Sequence, residues 1–316
     1  MPSGNEVLTA GETWRIIGED DPSELALRKL TDPTHPKTLK AFNCFIFGLD
    51  LHPNGRWHAA AGGGSPTEVR DPESGERLLL LPGEYHHGRF SGDGSHLLAS
   101  PAEKIGISGA RKITVWNVQS GLKVFDVEFP NIEVSGWRGS ISHDGQRIIT
   151  GNKPDGIRIW DVETGDVIQG QPDFIHLQFS PDGLALAGID RNEILQIIRS
   201  GREKVLSLGR VEFGEPFELF PLAFSSNSQW IGAVTPGGAI HAWSGATSEE
   251  VFHAPQAGNV GYLEFSREDH WLIAFDYIGN DSALRIWDMD SNWFESVTRS
   301  NLGWTSDVER RMVRRS

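Results

Sequence analysis

A five-residue phrase recurs along this chain and constrains its fold more than any other feature. Ile157-Arg158-Ile159-Trp160-Asp161 returns as Leu284-Arg285-Ile286-Trp287-Asp288 and, loosened, as Ile113-Thr114-Val115-Trp116-Asn117. Ahead of each copy lies an apolar-aromatic segment that ends in a tight turn, with Phe179-Ser180-Pro181-Asp182-Gly183 the clearest example. One such unit cannot bury its apolar face alone, so neighbouring copies must stack. Repeat architectures built this way usually present binding surfaces, which lowers the expectation of catalysis.

Six first turns line up. They are His52-Pro53-Asn54-Gly55, Ser91-Gly92-Asp93-Gly94, Ser142-His143-Asp144-Gly145, Ser180-Pro181-Asp182-Gly183, Ser225-Ser226-Asn227-Ser228 and Ser266-Arg267-Glu268-Asp269. Asp-Gly and Asn-Gly supply the positive φ that tight hairpins demand. A β-rich run follows each turn, as at Arg147–Thr150 and Trp271–Phe275, and a variable loop leads to the Trp-bearing strand. A second turn comes next, at Asp71–Gly75, Asn117–Gly121 and Asp161–Gly165, and a fourth strand closes the unit, as at Arg77–Leu81 or Lys123–Val127. Four antiparallel strands per repeat predict a propeller blade.

A seventh, degenerate unit is expected at the N-terminus. Its turn is Pro2-Ser3-Gly4, and its strands are Val7–Gly11, Trp14–Ile17 and Leu25–Leu30. It lacks a first strand. The spacing predicts that Arg299–Thr305 supplies one, with Trp304 in the slot held elsewhere by Phe90, Phe179, Phe224 and Phe265. A helix is the rival for this region, because Ser306-Asp307-Val308-Glu309 reads as a capping box. The expected organisation is therefore one domain over residues 1–305, closed by pairing of its N- and C-terminal segments, and a basic tail or short helix over 306–316.

On these residues the chain resembles the WD-repeat (WD40-like) β-propellers, in the divergent form found in bacteria. Trp-Asp is intact at Trp160-Asp161 and Trp287-Asp288, and weakened at Trp116-Asn117 and Trp243-Ser244. Arg70-Asp71, Ile198-Arg199 and Ile17-Gly18 stand at the other three slots. The Gly-His pair that precedes the family's first strand is missing throughout, so its Asp-His-Ser-Trp hydrogen-bond network is not expected whole. The resemblance implies an all-β, seven-bladed propeller of four-stranded antiparallel blades. In it Trp116, Trp160, Asp161, Trp243, Trp287 and Asp288 are structural repeat residues. It also implies a non-catalytic scaffold that binds other proteins on one face.

Composition narrows the function classes. The net charge is −14, and an acidic surface repels phosphate backbones, so nucleic acid is a poor partner. The arginines at 310, 311, 314 and 315 read as a solvated tail. The longest aliphatic run is Leu78–Leu81, far short of the roughly 20 residues of a spanning helix. The polar start of the chain has no secretory signature, and Cys44 is the only cysteine. A cytoplasmic location, a monomer and no membrane association are the expectations.

No cofactor or metal is expected. The adjacent His86 and His87 point to opposite faces of a strand, and no other histidines have ligand spacing. Asp288-Met289-Asp290-Ser291-Asn292 opens like a calcium loop, but Trp293 and Arg299 break the pattern. The informative deviations are insertions at 101–112, 128–139 and 210–218. Loops on a rigid scaffold carry function, and aromatic residues anchor interfaces. Trp137, Arg138, Phe213 and Phe217 are therefore the expected contacts to a protein or peptide partner. The alternatives are a propeller-based enzyme, such as a metal-dependent lactonase or hydrolase, and a small-ligand sensor.

Overall fold

The six aligned turns set the strands that follow them. In the computed structural model the last residue of each has positive φ: 75° at Gly55 and Gly94, 71° at Gly145, 72° at Gly183, 60° at Ser228 and 61° at Asp269. In every case its N–H donates to the carbonyl three residues earlier, as from Gly94 to Ser91 and from Asp269 to Ser266. The structure describes residues 6–10, 25–29, 32–38, 45–63, 65–71, 74–83, 85–101, 111–129, 139–152, 156–171, 174–199, 205–210, 222–235, 238–255, 260–266, 269–276, 283–289, 293–300 and 303–312.

All regular structure among these residues is antiparallel β. The N-terminal sheet runs β1 (Glu6–Ala10), β2 (Leu25–Lys29), β3 (Asp32–Thr38). Three four-stranded sheets follow, each with its strands in sequence order. The first holds β4 (Phe45–Leu51), β5 (His58–Gly63), β6 (Ser65–Arg70) and β7 (Arg77–Leu80). The second holds β8 (Tyr85–Phe90), β9 (His96–Pro101), β10 (Arg111–Asn117) and β11 (Lys123–Phe129). The third holds β12 (Ser140–Ile141), β13 (Arg147–Asn152), β14 (Gly156–Asp161) and β15 (Val167–Gln171).

Strand β16 (Phe174–Phe179) closes the first of two compact units. In the second, β17 (Ala185–Asp190), β18 (Ile194–Arg199) and β19 (Val205–Arg210) pair in order. Next come β20 (Leu222–Phe224), β21 (Trp230–Thr235), β22 (Ala239–Ser244) and β23 (Glu250–Ala254). The last sheet has five strands: β24 (Val260–Phe265), β25 (Trp271–Asp276), β26 (Ala283–Asp288), β27 (Trp293–Ser300) and β28 (Gly303–Met312). No helix among the described residues is long and apolar enough to cross a membrane.

Within each unit the core lies between successive sheets. Val69, Leu81 and Ala59 of the first four-stranded sheet pack against Phe90, Leu97 and Trp116 of the next. Phe125, Ile113 and Leu98 of that sheet then pack against Ile141, Ile148 and Trp160. In the second unit Ile240, Phe252 and Ala254 meet Leu263, Leu272 and Trp287. Trp116, Trp160 and Trp287 thus turn their rings toward the preceding sheet. A fully buried side chain of this size contributes on the order of 2 to 3 kcal/mol.

Hydrogen bonds also link the first turns of neighbouring sheets. In the first unit His52 Nε2 lies 3.0 Å from the Gly94 carbonyl oxygen, and Asp93 N donates to the His143 carbonyl at 2.9 Å. In the second, Asp182 N donates to Ser228 Oγ at 3.0 Å. The Asp269 carboxylate there accepts the N–H groups of Ser226 and Asn227 at 2.5 and 2.8 Å. Closeness at this rim demands glycine: a Cβ on Gly145 would sit 2.1 Å from His96 Nδ1.

Two expectations about the chain ends need correction. Gly303–Met312 is a strand, but it pairs with β27 as the fifth strand of the last sheet and does not complete the N-terminal one. Only residues 301 and 302 separate β27 from β28, and such a short connection closes a hairpin with far less lost chain entropy than pairing with a distant segment. One strand crosses position 305, so residues 306–312 are neither a tail nor a helix. At the other end, Leu25–Lys29 is the middle strand rather than the outer one, with Asp32–Thr38 at the edge. Pro33 and Pro36 fit an edge strand, where proline is tolerated. The strand expected at Trp14–Ile17 lies outside the described residues.

The second turns follow the same logic, including one without glycine. Gly75, Gly121 and Gly165 have φ of 75°, 68° and 77°, and Ser248 takes the equivalent place at 66°. Its Oγ is buried without a hydrogen-bond partner among the described residues. Left-handed backbone costs a non-glycine residue about 1 to 2 kcal/mol, partly offset by the entropy glycine loses on folding. Ser248→Gly is therefore expected to stabilise the protein by about 0.5 to 1 kcal/mol, read as a raised denaturant midpoint with an unchanged m-value.

Candidate functional site

The repeat tryptophans are placed by register. Trp116 faces Leu97 across the β9–β10 pair, Trp160 faces Ile148, Trp243 faces Ile231 and Trp287 faces Leu272. Trp116, Trp243 and Trp287 are buried, and Trp160 partly so. Trp160 Nε1 donates to Thr150 Oγ1 at 2.7 Å. Alanine stands at the matching positions of the other three sheets, Ala99, Ala233 and Ala274, so none of them can offer that acceptor. Trp116 Nε1 is buried with no acceptor among the described residues.

The residue after Trp116, Trp160 and Trp243 caps the second turn. Asp161 Oδ1 accepts the N–H groups of Glu163 and Thr164, both at 2.9 Å. Asn117 Oδ1 accepts from Ser120 N, and Ser244 Oγ from Ala246 and Thr247. The weakened Trp-Asn and Trp-Ser pairs thus keep the acceptor the turn requires. Asp71 does the same for Ser74 at 3.3 Å and also holds Arg56 Nε at 3.0 Å. Asp288 ends β26.

The four expected partner contacts, Trp137, Arg138, Phe213 and Phe217, lie outside the described residues. Among the described ones, two histidine sites depart from the repeat. The first is His58, which sits opposite Arg70 in the slots where other sheets put an aliphatic residue and tryptophan. Its side chain is fully buried, and neither ring nitrogen makes a well-formed hydrogen bond among the described residues. Burial lowers its pKa to about 4, outweighing the opposing pull of the Arg56 backbone and the Asp71 carboxylate. Arg70 pairs with Glu68, and Glu68 reaches Arg77 at 3.4 Å. This face of the first four-stranded sheet is therefore polar where its counterparts are apolar.

The second site is an aromatic column on β22 and β23. His241 stacks on Trp243 with centroids 5.6 Å apart and on the cross-strand His253 at 4.5 Å. Glu250 Oε1 lies 3.2 Å from His241 Nδ1. Burial lowers the His241 pKa, and His253 adds to that effect while Glu250 opposes it. The two imidazole planes are only 19° from parallel, so their in-plane lone pairs do not converge on one ion. No three His, Cys, Asp or Glu side chains gather into a metal-holding group among the described residues. Both sites were visible in the repeat, His58 as a polar residue in an aliphatic slot and His241 two positions before Trp243. Their chemistry depended on burial that spacing does not give.

Comparison with family models and with curated proteins finds no match for this chain.

His58 carries a pH signature. The unfolded imidazole takes up a proton near pH 6.5 and the folded one only near pH 4. The unfolded state therefore binds more protons between those values, and stability falls as pH drops through that window. At about 1.4 kcal/mol per pH unit the loss approaches 3 kcal/mol. His58→Leu, which restores the aliphatic slot, should remove this part of the pH dependence. Denaturant titrations of both proteins from pH 7 to pH 4 check it, and parallel curves would contradict it.

Proposed function

We propose that the chain is a WD-repeat type, seven-bladed β-propeller that acts as a non-catalytic scaffold for a protein or peptide partner. One observation carries the reading. The recurring polar residues that a catalytic site would draw on are engaged in holding strands and turns. Ser91 and Ser95 donate to Asp93, Ser142 donates to Asp144, and Asp161 caps its own turn. Burial works against ionisation of Asp93 and Asp144, yet these hydrogen bonds outweigh it and hold both carboxyls below the usual range. Such groups stay ionised and occupied near neutral pH.

The sheet pattern supports the architecture. Antiparallel sheets repeat along the chain, and their first turns are bonded one to the next within each unit. A closed ring of such sheets removes exposed edges and offers rigid loops at its ends. The partner then meets the inserted segments, with Trp137, Arg138, Phe213 and Phe217 as contacts. The partner is a polypeptide rather than nucleic acid, given the net charge of −14.

Affinity capture from a native extract, read by mass spectrometry, tests this. The wild-type protein is expected to retain a partner saturably. The variant W137A/R138E/F213A/F217A is expected to lose it while keeping its melting temperature. Identical capture by both proteins would contradict the proposal.

A further inference from the structure

The first turn between β4 and β5 carries chemistry that its counterparts lack. Asn54-Gly55 is the single Asn-Gly pair in the chain. The matching places of three other turns hold Asp93-Gly94, Asp144-Gly145 and Asp182-Gly183, and a fourth holds Asn227-Ser228. Asparagine is thermolabile, because the backbone nitrogen of the next residue can attack its side-chain carbon. Glycine at that next place leaves the approach open. Burial works against ionisation of Asp93 and Asp144, yet their hydrogen bonds keep both ionised, and a carboxylate is a poor electrophile. Asn54 is neutral and exposed.

The geometry at Asn54 favours the attack once the turn opens. Its Oδ1 accepts the N–H of Arg56 at 2.9 Å and that of Trp57 at 3.4 Å. Both donors point at the oxygen on which negative charge gathers as the carbon is attacked. Because the residue is exposed, its departing nitrogen can take a proton from water. The nucleophile is engaged in one bond, from Gly55 N–H to the His52 carbonyl at 2.8 Å. The reaction therefore waits on local opening of this turn.

This turn lacks the hydroxyl that closes its counterparts. At Asn227, Ser225 Oγ–H donates to Oδ1 at 2.8 Å, and the same oxygen accepts the Trp230 N–H at 2.8 Å. The Asp269 carboxylate holds the N–H groups of Ser226 and Asn227 as well. In the first turn His52 stands where that serine would. Its Nε2 is turned to the Gly94 carbonyl at 3.0 Å, and its Nδ1 accepts the Asn54 N–H at 3.1 Å. The Trp57 N–H has no hydroxyl to reach and makes only the long bond to Asn54 Oδ1.

We propose that Asn54 is a site of spontaneous deamidation in the folded protein, reactive because its turn has no serine clamp. The Gly55 nitrogen loses its proton to solvent and bonds to Asn54 Cγ. The Cγ–Nδ2 bond breaks, and the nitrogen leaves as ammonia. Water then opens the cyclic imide. Cleavage between nitrogen and Cγ gives aspartate, and cleavage between nitrogen and the main-chain carbonyl carbon gives isoaspartate. Aspartate is already the residue at 93, 144 and 182, where Oδ1 accepts the N–H two residues on at 2.9 to 3.0 Å. The turn therefore accommodates it. Isoaspartate lengthens the main chain by a methylene and disturbs the register of the β4–β5 hairpin. This chemistry is independent of the scaffold function proposed above.

The test uses the full chain carrying S228G, which puts a second Asn-Gly pair in a clamped turn. Ser228 already has φ of 60°, so glycine fits there. The protein is held in mildly alkaline buffer, and peptide mapping by mass spectrometry reads amide loss at Asn54 and Asn227 of the same molecule. In the folded protein Asn54 should convert at least about fivefold faster than Asn227, because the clamp bonds hold the second turn closed. In denaturant the two should convert at similar rates. Equal rates in the folded protein, or faster loss at Asn227, would overturn the proposal. So would a ratio in denaturant equal to that in the folded protein, because flanking sequence alone would then set it. An Asn54 that keeps its amide when folded, over the time that converts it in denaturant, would overturn it as well.

Discussion

A buried serine hydroxyl holds the repeat together. Ser91, Ser142, Ser180 and Ser225 each donate Oγ–H to the side chain two residues on, at 2.6 Å to Asp93, Asp144 and Asp182 and at 2.8 Å to Asn227. The same oxygens accept the N–H five residues on, from His96, Arg147, Ala185 and Trp230, at 2.8 to 2.9 Å. Ser266 accepts from Trp271 at 3.1 Å. The turn is thereby clamped across its base and the register of the following hairpin is set. A one-residue slip would send every core side chain to the wrong face. The clamp thus stands upstream of all the apolar packing.

From the clamp the structure extends sideways. The last strand residue before the turn is tied to the preceding sheet: Phe90 N donates to Asp50 Oδ2 at 2.7 Å, and Phe179 N to Ser140 Oγ at 3.1 Å. Asp50 and Ser140 hold the same place, two residues ahead of their own turns. These bonds and the turn-to-turn bonds align neighbouring sheets, and the tryptophan rings fill the space between. The third and fourth strands shift register at the tryptophan slot, between Val115 and Trp116, Ile159 and Trp160, and Ala242 and Trp243. Such bulges re-aim a side chain and increase local twist. They fall beside the positive-φ residue of the second turn.

Much of this was legible because turn chemistry is local. Gly55, Gly94, Gly145 and Gly183 announced their turns by residue type, and Ser228 and Asp269 by position in the repeat. The turn ending at Ser248 went unseen because a serine there has no glycine-like mark. Non-local pairing was harder to read. Leu302-Gly303-Trp304-Thr305 resembles Leu177-Gln178-Phe179-Ser180 in pattern, yet its nearness to β27 decided its partner. Composition can nominate a strand, but chain entropy selects its neighbour. The candidate sites were less legible still. His58 and His241 owe their character to burial.

The functional reading follows from where polar groups are already engaged. Clamps and caps occupy the serine and aspartate side chains. All of it depends on the clamps being closed in the native state. Native-state amide hydrogen exchange at His96, Arg147, Ala185, Trp230 and Trp271 measures that directly, because each donates its N–H to a clamp hydroxyl. Exchange as slow as that of the central strands, through global unfolding, is the expected result. Exchange at the rate of exposed turn amides would show that the clamps are open and would contradict the account.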